Sequence, residues 1–289
     1  MIRYLPALLL AAACAAPALA QTPPEPPLPP ANGVLNTDVT TIGVGAGMVP
    51  DYEGSNDYRI IPAAAIRTKI GDVSLSTRGL YLYADVIGAK SGNMDFDFGP
   101  IVGLRMNRSG KIKDDVVDLL PERNKAIEVG GFAGVGISGL TNPYDRLSLR
   151  FDAVHDVGKA HRSTVITPTI DFSTPLSRTL YVGASLSADF VSNRFADYYF
   201  SITPAEALGT GGILTGPRIG SFDADGGMKN WKIGLLANQS ISGDLLKGWS
   251  IFGLANHSRL VGDFKRSPIV RDRGSAKQWM GAVGLAYTF

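Results

Sequence analysis

Residues 278–289 alternate without a break, and this limits the possible folds more than any other feature. Trp279, Gly281, Val283, Leu285, Tyr287 and Phe289 fall on one face; Gln278, Met280, Ala282, Gly284, Ala286 and Thr288 fall on the other. A period of two sends successive side chains to opposite faces of a strand, so this strand divides two environments. One face is apolar and ends in aromatics, while the other is small and mildly polar. A soluble sandwich alternates too. The terminal Phe289 with Tyr287 two residues before it narrows the choice, because Val283, Leu285, Tyr287 and Phe289 read as the signal that the barrel-insertion machinery of a bacterial outer membrane accepts.

The same split recurs upstream. Met94, Phe96, Phe98, Val102 and Leu104 oppose Asp95, Asp97 and Arg105; Leu147, Leu149 and Phe151 oppose Arg150 and Asp152; Leu180, Val182, Leu186 and Phe190 oppose Tyr181, Ser185 and Asp189. Residues 42–48, 58–67, 127–138, 165–173 and 231–241 repeat the pattern. Such runs of about 9–13 residues match the length a tilted strand needs to cross a bilayer core. A charge facing lipid at mid-membrane costs roughly 2–4 kcal/mol for Lys or Arg, so the charged face must be the lumen. The lumen is then lined by Arg59, Arg67, Asp95, Asp97, Arg105, Glu128, Arg150, Asp152, Asp171, Asp189 and Lys232, with both signs interleaved. That pattern fits either a charge-selective constriction or a salt-bridged occlusion, and inward-pointing Phe132 and Tyr181 favour the second.

Connectors alternate in length. Residues 140–145, 174–178 and 242–247 are short; residues 107–125, 192–227 and 262–276 are long. Short periplasmic turns and long outer loops are the rule for such barrels, which places Phe289 at the periplasm. Counting back from it gives eleven segments, whereas closure with both ends at one rim requires an even number. The suspect is Val73–Val86, whose alternation changes phase near Thr77–Gly79. A turn there makes the fold an all-β, antiparallel transmembrane β-barrel of about 12 strands, with 10–14 as bounds; a bulge would leave the missing strand within residues 194–225.

Residues 1–20 read as a cleaved signal peptide: Arg3, an apolar run, then Ala18-Leu19-Ala20, with cleavage between Ala20 and Gln21. A rival lipoprotein reading at Cys14, the chain's one cysteine, lacks the usual leucine before it. Residues 21–34 are proline-rich and read as an extended periplasmic tether, followed by the barrel over 35–289. The formal charge of +2 gives no support to a nucleic-acid partner. No window holds eighteen apolar residues, which excludes a helical membrane span and leaves a barrel open, since strands hide their apolarity in alternation.

Catalytic and cofactor chemistry finds little to stand on. His155, His161 and His257 read as rim or loop residues, and Ser258 beside His257 points to the opposite face of its strand. Asp223-Ala224-Asp225-Gly226 lacks the later ligands of a calcium loop and reads as turn chemistry. Gly43, Gly45 and Gly47 lie on one strand face and read as small lumen residues against which something packs. The expectation is a non-enzymatic protein with no cofactor and no metal.

Three segments carry a family resemblance. Pro50-Asp51-Tyr52-Glu53-Gly54-Ser55, followed by Tyr58 and Pro62, resembles the first-loop motif of the MltA-interacting protein/OmpV (MipA/OmpV) family. Tyr198-Tyr199-Phe200 with Pro204-Ala205-Glu206-Ala207 resembles its long-loop motif. Ser258-Arg259-Leu260, Gly262-Asp263 and Ser267-Pro268-Ile269-Val270-Arg271 resemble its last hairpin. The resemblance implies an outer-membrane barrel with lipid as its surroundings and no transferable catalytic residues. It also implies, as the leading role, a scaffold joining a murein transglycosylase to a peptidoglycan synthase. A porin-like channel and a surface adhesin or receptor are the alternatives. The motifs belong on outer loops or rim segments, so a murein-side partner would have to touch the tether or the short turns.

Overall fold

A computed structural model describes residues 39–87, 89–211, 216 and 218–289; the side chains of residues 89–91 are not described. The proposed signal peptide, its cleavage site at Ala20 and Gln21, and the tether lie outside the described residues.

Strands β1 (Thr41–Pro50), β2 (Tyr58–Ile70), β3 (Val73–Arg78), β4 (Tyr81–Asp85), β5 (Ala89–Ser91), β6 (Met94–Arg105), β7 (Ala126–Ser138), β8 (Arg146–Asp156), β9 (Thr164–Pro175), β10 (Leu180–Val191), β11 (Gly227–Ser240), β12 (Gly248–Leu260) and β13 (Lys277–Thr288) form one antiparallel sheet. β1 pairs with β13, and β4 pairs with β6. β5 continues β4 along the same neighbour. The ring therefore closes with twelve staves. Closure pairs the sheet's two outermost strands, which is why closed barrels can cross a membrane with strands; one stretch of β2 keeps an unpaired edge.

The phase change after Val73 is a turn. Gly79 adopts φ +60°, and the chain reverses so that Arg78 pairs with Tyr81. The region suspected of hiding a strand instead holds helices α1 (Asn193–Phe200) and α2 (Pro204–Gly209). Further helices α3 (Gly262–Arg266) and α4 (Pro268–Arg271) fill the last long connector. The β3–β4 hairpin is short, so β2 from Tyr58 to Ile66 pairs with β1 alone. The upper wall is low at this point.

The two faces of the wall match the alternation. Ile60, Phe98, Leu235 and Val283 point outward and stay more than half exposed. A band this apolar and this exposed belongs in lipid. Trp249, Tyr287 and Phe289 stack at the rim that carries the short turns, with ring centroids 5.0 and 4.8 Å apart. Trp231, His257 and Trp279 stack near the other rim. Eight residues separate Trp279 from Tyr287, about 27 Å along a strand, or roughly 20 Å of height at a tilt near 40°. This is a little under the apolar band of about 25 Å that aromatic girdles flank in outer-membrane barrels.

Inside, the small residues have a clear use. A Cβ on Gly43 would meet Phe252 Cε1 at 3.1 Å, and one on Gly284 would meet Phe252 Cζ at 2.6 Å. The Phe252 ring takes the room these glycines leave.

Candidate functional site

The long connectors fold into one plug that closes the outer mouth. Its centre is α1, whose residues Phe195, Ala196, Tyr199 and Phe200 are fully shielded from solvent. Two adjacent pairs four residues apart, 195/196 and 199/200, place them on one helix face. α2 begins with a capping box: Thr203 Oγ1 accepts from Glu206 N at 3.2 Å, and Glu206 Oε2 accepts from Thr203 N at 2.8 Å. Glu206 also takes Arg123 Nη2 at 3.1 Å, and the Arg123 guanidinium lies over the Tyr198 ring. Burial alone would raise the Glu206 pKa; the bonds from Thr203 and the Arg123 charge hold it below the usual range.

The first loop is locked to the last. Tyr52 Oη donates to the Ile269 carbonyl at 2.8 Å from a buried position. Ser275 N donates to Gly54 O at 2.7 Å, and Gln278 Nε2 donates to Ser55 O at 2.8 Å. Gly54 holds φ +104°, and a Cβ there would lie 2.4 Å from Val270 Cγ2. The last loop is in turn locked to α1: Ser267 Oγ donates to Phe200 O at 2.6 Å, and the Phe200 and Phe264 rings meet edge to face at 5.0 Å. Arg108 Nη1 donates to Tyr199 O at 3.2 Å. Burial and the nearby Arg123 charge push the Arg108 pKa down to about 10.

Below the plug, ion pairs line the lumen at three heights, and at the upper two they bridge across it. At the top, Arg105 binds Glu128 (2.8 Å) and Glu53 (3.1 Å). Lys229 binds Glu53 (2.9 Å) and Asp189 (3.3 Å), and Lys232 binds Asp189 (2.6 Å). Glu53 belongs to the first loop; burial would raise its pKa, but Lys229 and then Arg105 outweigh it, so the carboxylate stays ionised below the usual range. At mid-height, Arg150 joins Asp152 (2.7 Å) and Asp171 (3.3 Å), Tyr83 Oη donates to Asp152 at 3.0 Å, and Arg78 reaches Asp171 at 3.7 Å. Arg78 stands on β3 and Asp171 on β9, on opposite sides of the barrel, so this pair spans the lumen. Near the periplasmic rim, Arg146 holds Asp95 (2.8 Å) and Asp97 (2.6 Å).

A family model described as MltA-interacting protein MipA matches residues 42–289. The chain belongs to that family. The three motif segments that carry the resemblance to MipA proteins, distant in sequence, all contribute residues to the plug, together with the 107–125 connector. No curated protein matches the chain significantly. Solved structures that align with it include the toluene transporter TbuX of Ralstonia pickettii (12% identity, 90% of this chain and 91% of that one, TM-score 0.35). An outer membrane channel from Pseudomonas putida aligns at 9% identity over 87% and 95%, with TM-score 0.44. The translocator domain of autotransporter NalP from Neisseria meningitidis aligns at 13% identity over 88% and 89%, with TM-score 0.35.

The residues expected at the site divide into two sets. Tyr52, Gly54, Ser55, Tyr198, Tyr199, Phe200 and Glu206 are in the plug; Pro50 and Tyr58 end the strands that flank the first loop. The lumen charges Arg59, Arg67, Asp95, Asp97, Arg105, Glu128, Arg150, Asp152 and Asp189 all lie on the inward face of their strands. Arg59 pairs with Asp51 at the rim. Arg67 makes no ion pair among the described residues. Alternation missed Glu53, Arg78, Arg146 and Lys229. The first is in a loop, and the next two end or begin strands. Lys229 sits at a bulge, where Asp189 faces Asn230 while Phe190 faces Met228, which turns it inward. His161 is in its loop, but it is not a rim residue. It is buried, its Nε2 lies 2.9 Å from Glu128 Oε1, and its ring packs on Phe195 at 5.0 Å. The 158–163 loop folds inward to fill the space under α1, which its polar composition does not reveal.

Proposed function

We propose that this MipA-family chain is a non-enzymatic, non-conducting barrel of the outer membrane that works as a membrane-held scaffold for murein-modifying enzymes. One observation carries the reading: the outer mouth is shut by a plug packed like a domain core, and the lumen beneath is crossed by ion pairs. A barrel blocked in this way has surfaces to offer and no path to offer, so its work falls to its periplasmic turns and its proline-rich arm, residues 21–34. The family description, an MltA-interacting protein, supports a lytic murein transglycosylase as one partner; a peptidoglycan synthase is the second partner we propose. The test is a pull-down of cell-wall enzymes with the intact protein and with residues 21–34 deleted. Recovery that falls with the deletion supports the arm as the contact; recovery of no murein enzyme by either form overturns the scaffold.

A solute channel is the second reading, favoured by the charge of both signs along the lumen. It requires the plug to move, and bilayer conductance separates the two.

A further inference from the structure

The charged side chains of the barrel wall point inward, with one exception. Among the described side chains of strand residues, only Arg259 on β12 and Lys277 on β13 carry a charge on the membrane-facing side. They are direct cross-strand partners. Like charges placed opposite each other on a sheet repel. Neither has a carboxylate partner among the described residues, and both are exposed. The wall therefore holds an uncompensated double positive charge where the fold gains nothing from it.

Its height says what could compensate it. Trp231 and Arg259 are cross-strand partners, as are His257 and Trp279. Directly toward mid-membrane from the two cations, the His257 ring sits between Trp279 (4.5 Å) and Trp231 (5.6 Å). His257 Nδ1 is buried and has no hydrogen-bond partner among the described residues. This stack is the outer girdle, which lies at headgroup level. An anion on Arg259 and Lys277 would thus sit at the depth of outer-leaflet phosphates, with its acyl chains descending over the Trp231–His257–Trp279 platform and the apolar band below. Anionic headgroups attract each Lys or Arg held near the membrane surface, so the two cations act together at this depth.

We propose that the β11–β13 face, through Arg259, Lys277, Trp231, His257 and Trp279, binds the phosphate monoester of an acylated glycolipid in the outer leaflet. The cations take the phosphate and the rings take the adjoining sugar and chain roots. The site faces the membrane and is independent of the plug and of the scaffold reading.

Tryptophan fluorescence reads the site directly, since two of the chain's three tryptophans form it and Trp249 is at the opposite rim. The full-length protein carrying W249F is reconstituted in phosphatidylcholine vesicles. A minor component with brominated chains is then added, either a glycolipid bearing phosphate monoesters or the same glycolipid with its phosphates removed. The expected result is quenching well above the bulk mole fraction for the phosphorylated lipid alone. Adding R259Q and K277Q should weaken that preference at least about tenfold. Heat-modifiable gel migration checks that both forms are folded, and R259K with K277R should restore the preference. Equal quenching by both glycolipids, an unchanged preference in the double glutamine variant, or full displacement by inorganic phosphate overturns the proposal.

Discussion

Substituting Gly54 by Ala should open the plug without unfolding the barrel. Gly54 holds φ +104°, a region that costs an L-residue about 1–2 kcal/mol. Its new Cβ would lie 2.4 Å from Val270 Cγ2, and Val270 is itself 1% exposed, so it has nowhere to move. Forcing an extra methyl into such packing costs roughly 1–3 kcal/mol. The two together give about 2–5 kcal/mol against the closed plug. Relief requires the first loop to withdraw from the Ser267–Arg271 segment, which breaks the Tyr52–Ile269 and Ser275–Gly54 bonds in the same step. At about 1.4 kcal/mol per decade, the open population should rise at least thirtyfold, roughly. Trypsin reports it at Arg271, whose side chain is exposed, because cleavage tracks the open fraction when reclosing is fast. The control is Gly71→Ala in the β2–β3 turn, at φ +60° with no neighbour within 4 Å of a new Cβ. It carries the backbone cost alone and should leave cleavage unchanged. A Gly54→Ala protein cleaved within a factor of two of wild type would refute the reasoning.

Lys229→Met removes the cation shared by Glu53 and Asp189; breaking a buried pair this way costs about 3–5 kcal/mol, read as a lowered urea midpoint for release of the plug. Asp145 closes the β7–β8 turn by accepting from Leu140 N (2.8 Å), Thr141 N (2.6 Å) and Asn142 N (3.2 Å), so Asp145→Asn, which loses acceptors there, should cost roughly 1–3 kcal/mol in equilibrium unfolding. Burial opposes ionisation of Asp145, but the bonds from Thr141, Leu140 and Asn142 win and lower its pKa from 3.8 to about 2. A lowered folded pKa gives stability that is present above 3.8 and lost as pH falls through about 2; the wild type should therefore weaken across that window more than Asp145→Asn does.

The barrel was legible because a lipid-facing wall must alternate and a membrane penalises any error. The phase change near Gly79 was legible as a turn or a bulge; the pairing of Arg78 with Tyr81 makes it a turn, with Tyr81 and Tyr83 facing inward as Ser74 and Ser76 do. The plug was legible only as a set of motifs. Its residues meet across more than two hundred positions, as Tyr52 and Ile269 do, and no local pattern encodes that contact. Two local signals did exist: Phe195 and Tyr199 at helical spacing, and the Thr203–Glu206 capping box, both inside a connector read as loop. Lys229 could not be found by period, because one extra residue at a bulge reverses the face of everything before it. The Arg259–Lys277 pair was visible in sequence but acquired meaning only with the register that sets the two side by side.

The plug and the bridged lumen should leave no open path, and single-channel conductance of the full-length protein in a planar bilayer reads this. The wild type should be silent at low voltage, and Gly54→Ala or Lys229→Met should show openings. Steady, voltage-independent conductance in the wild type, unchanged by either substitution, would contradict it.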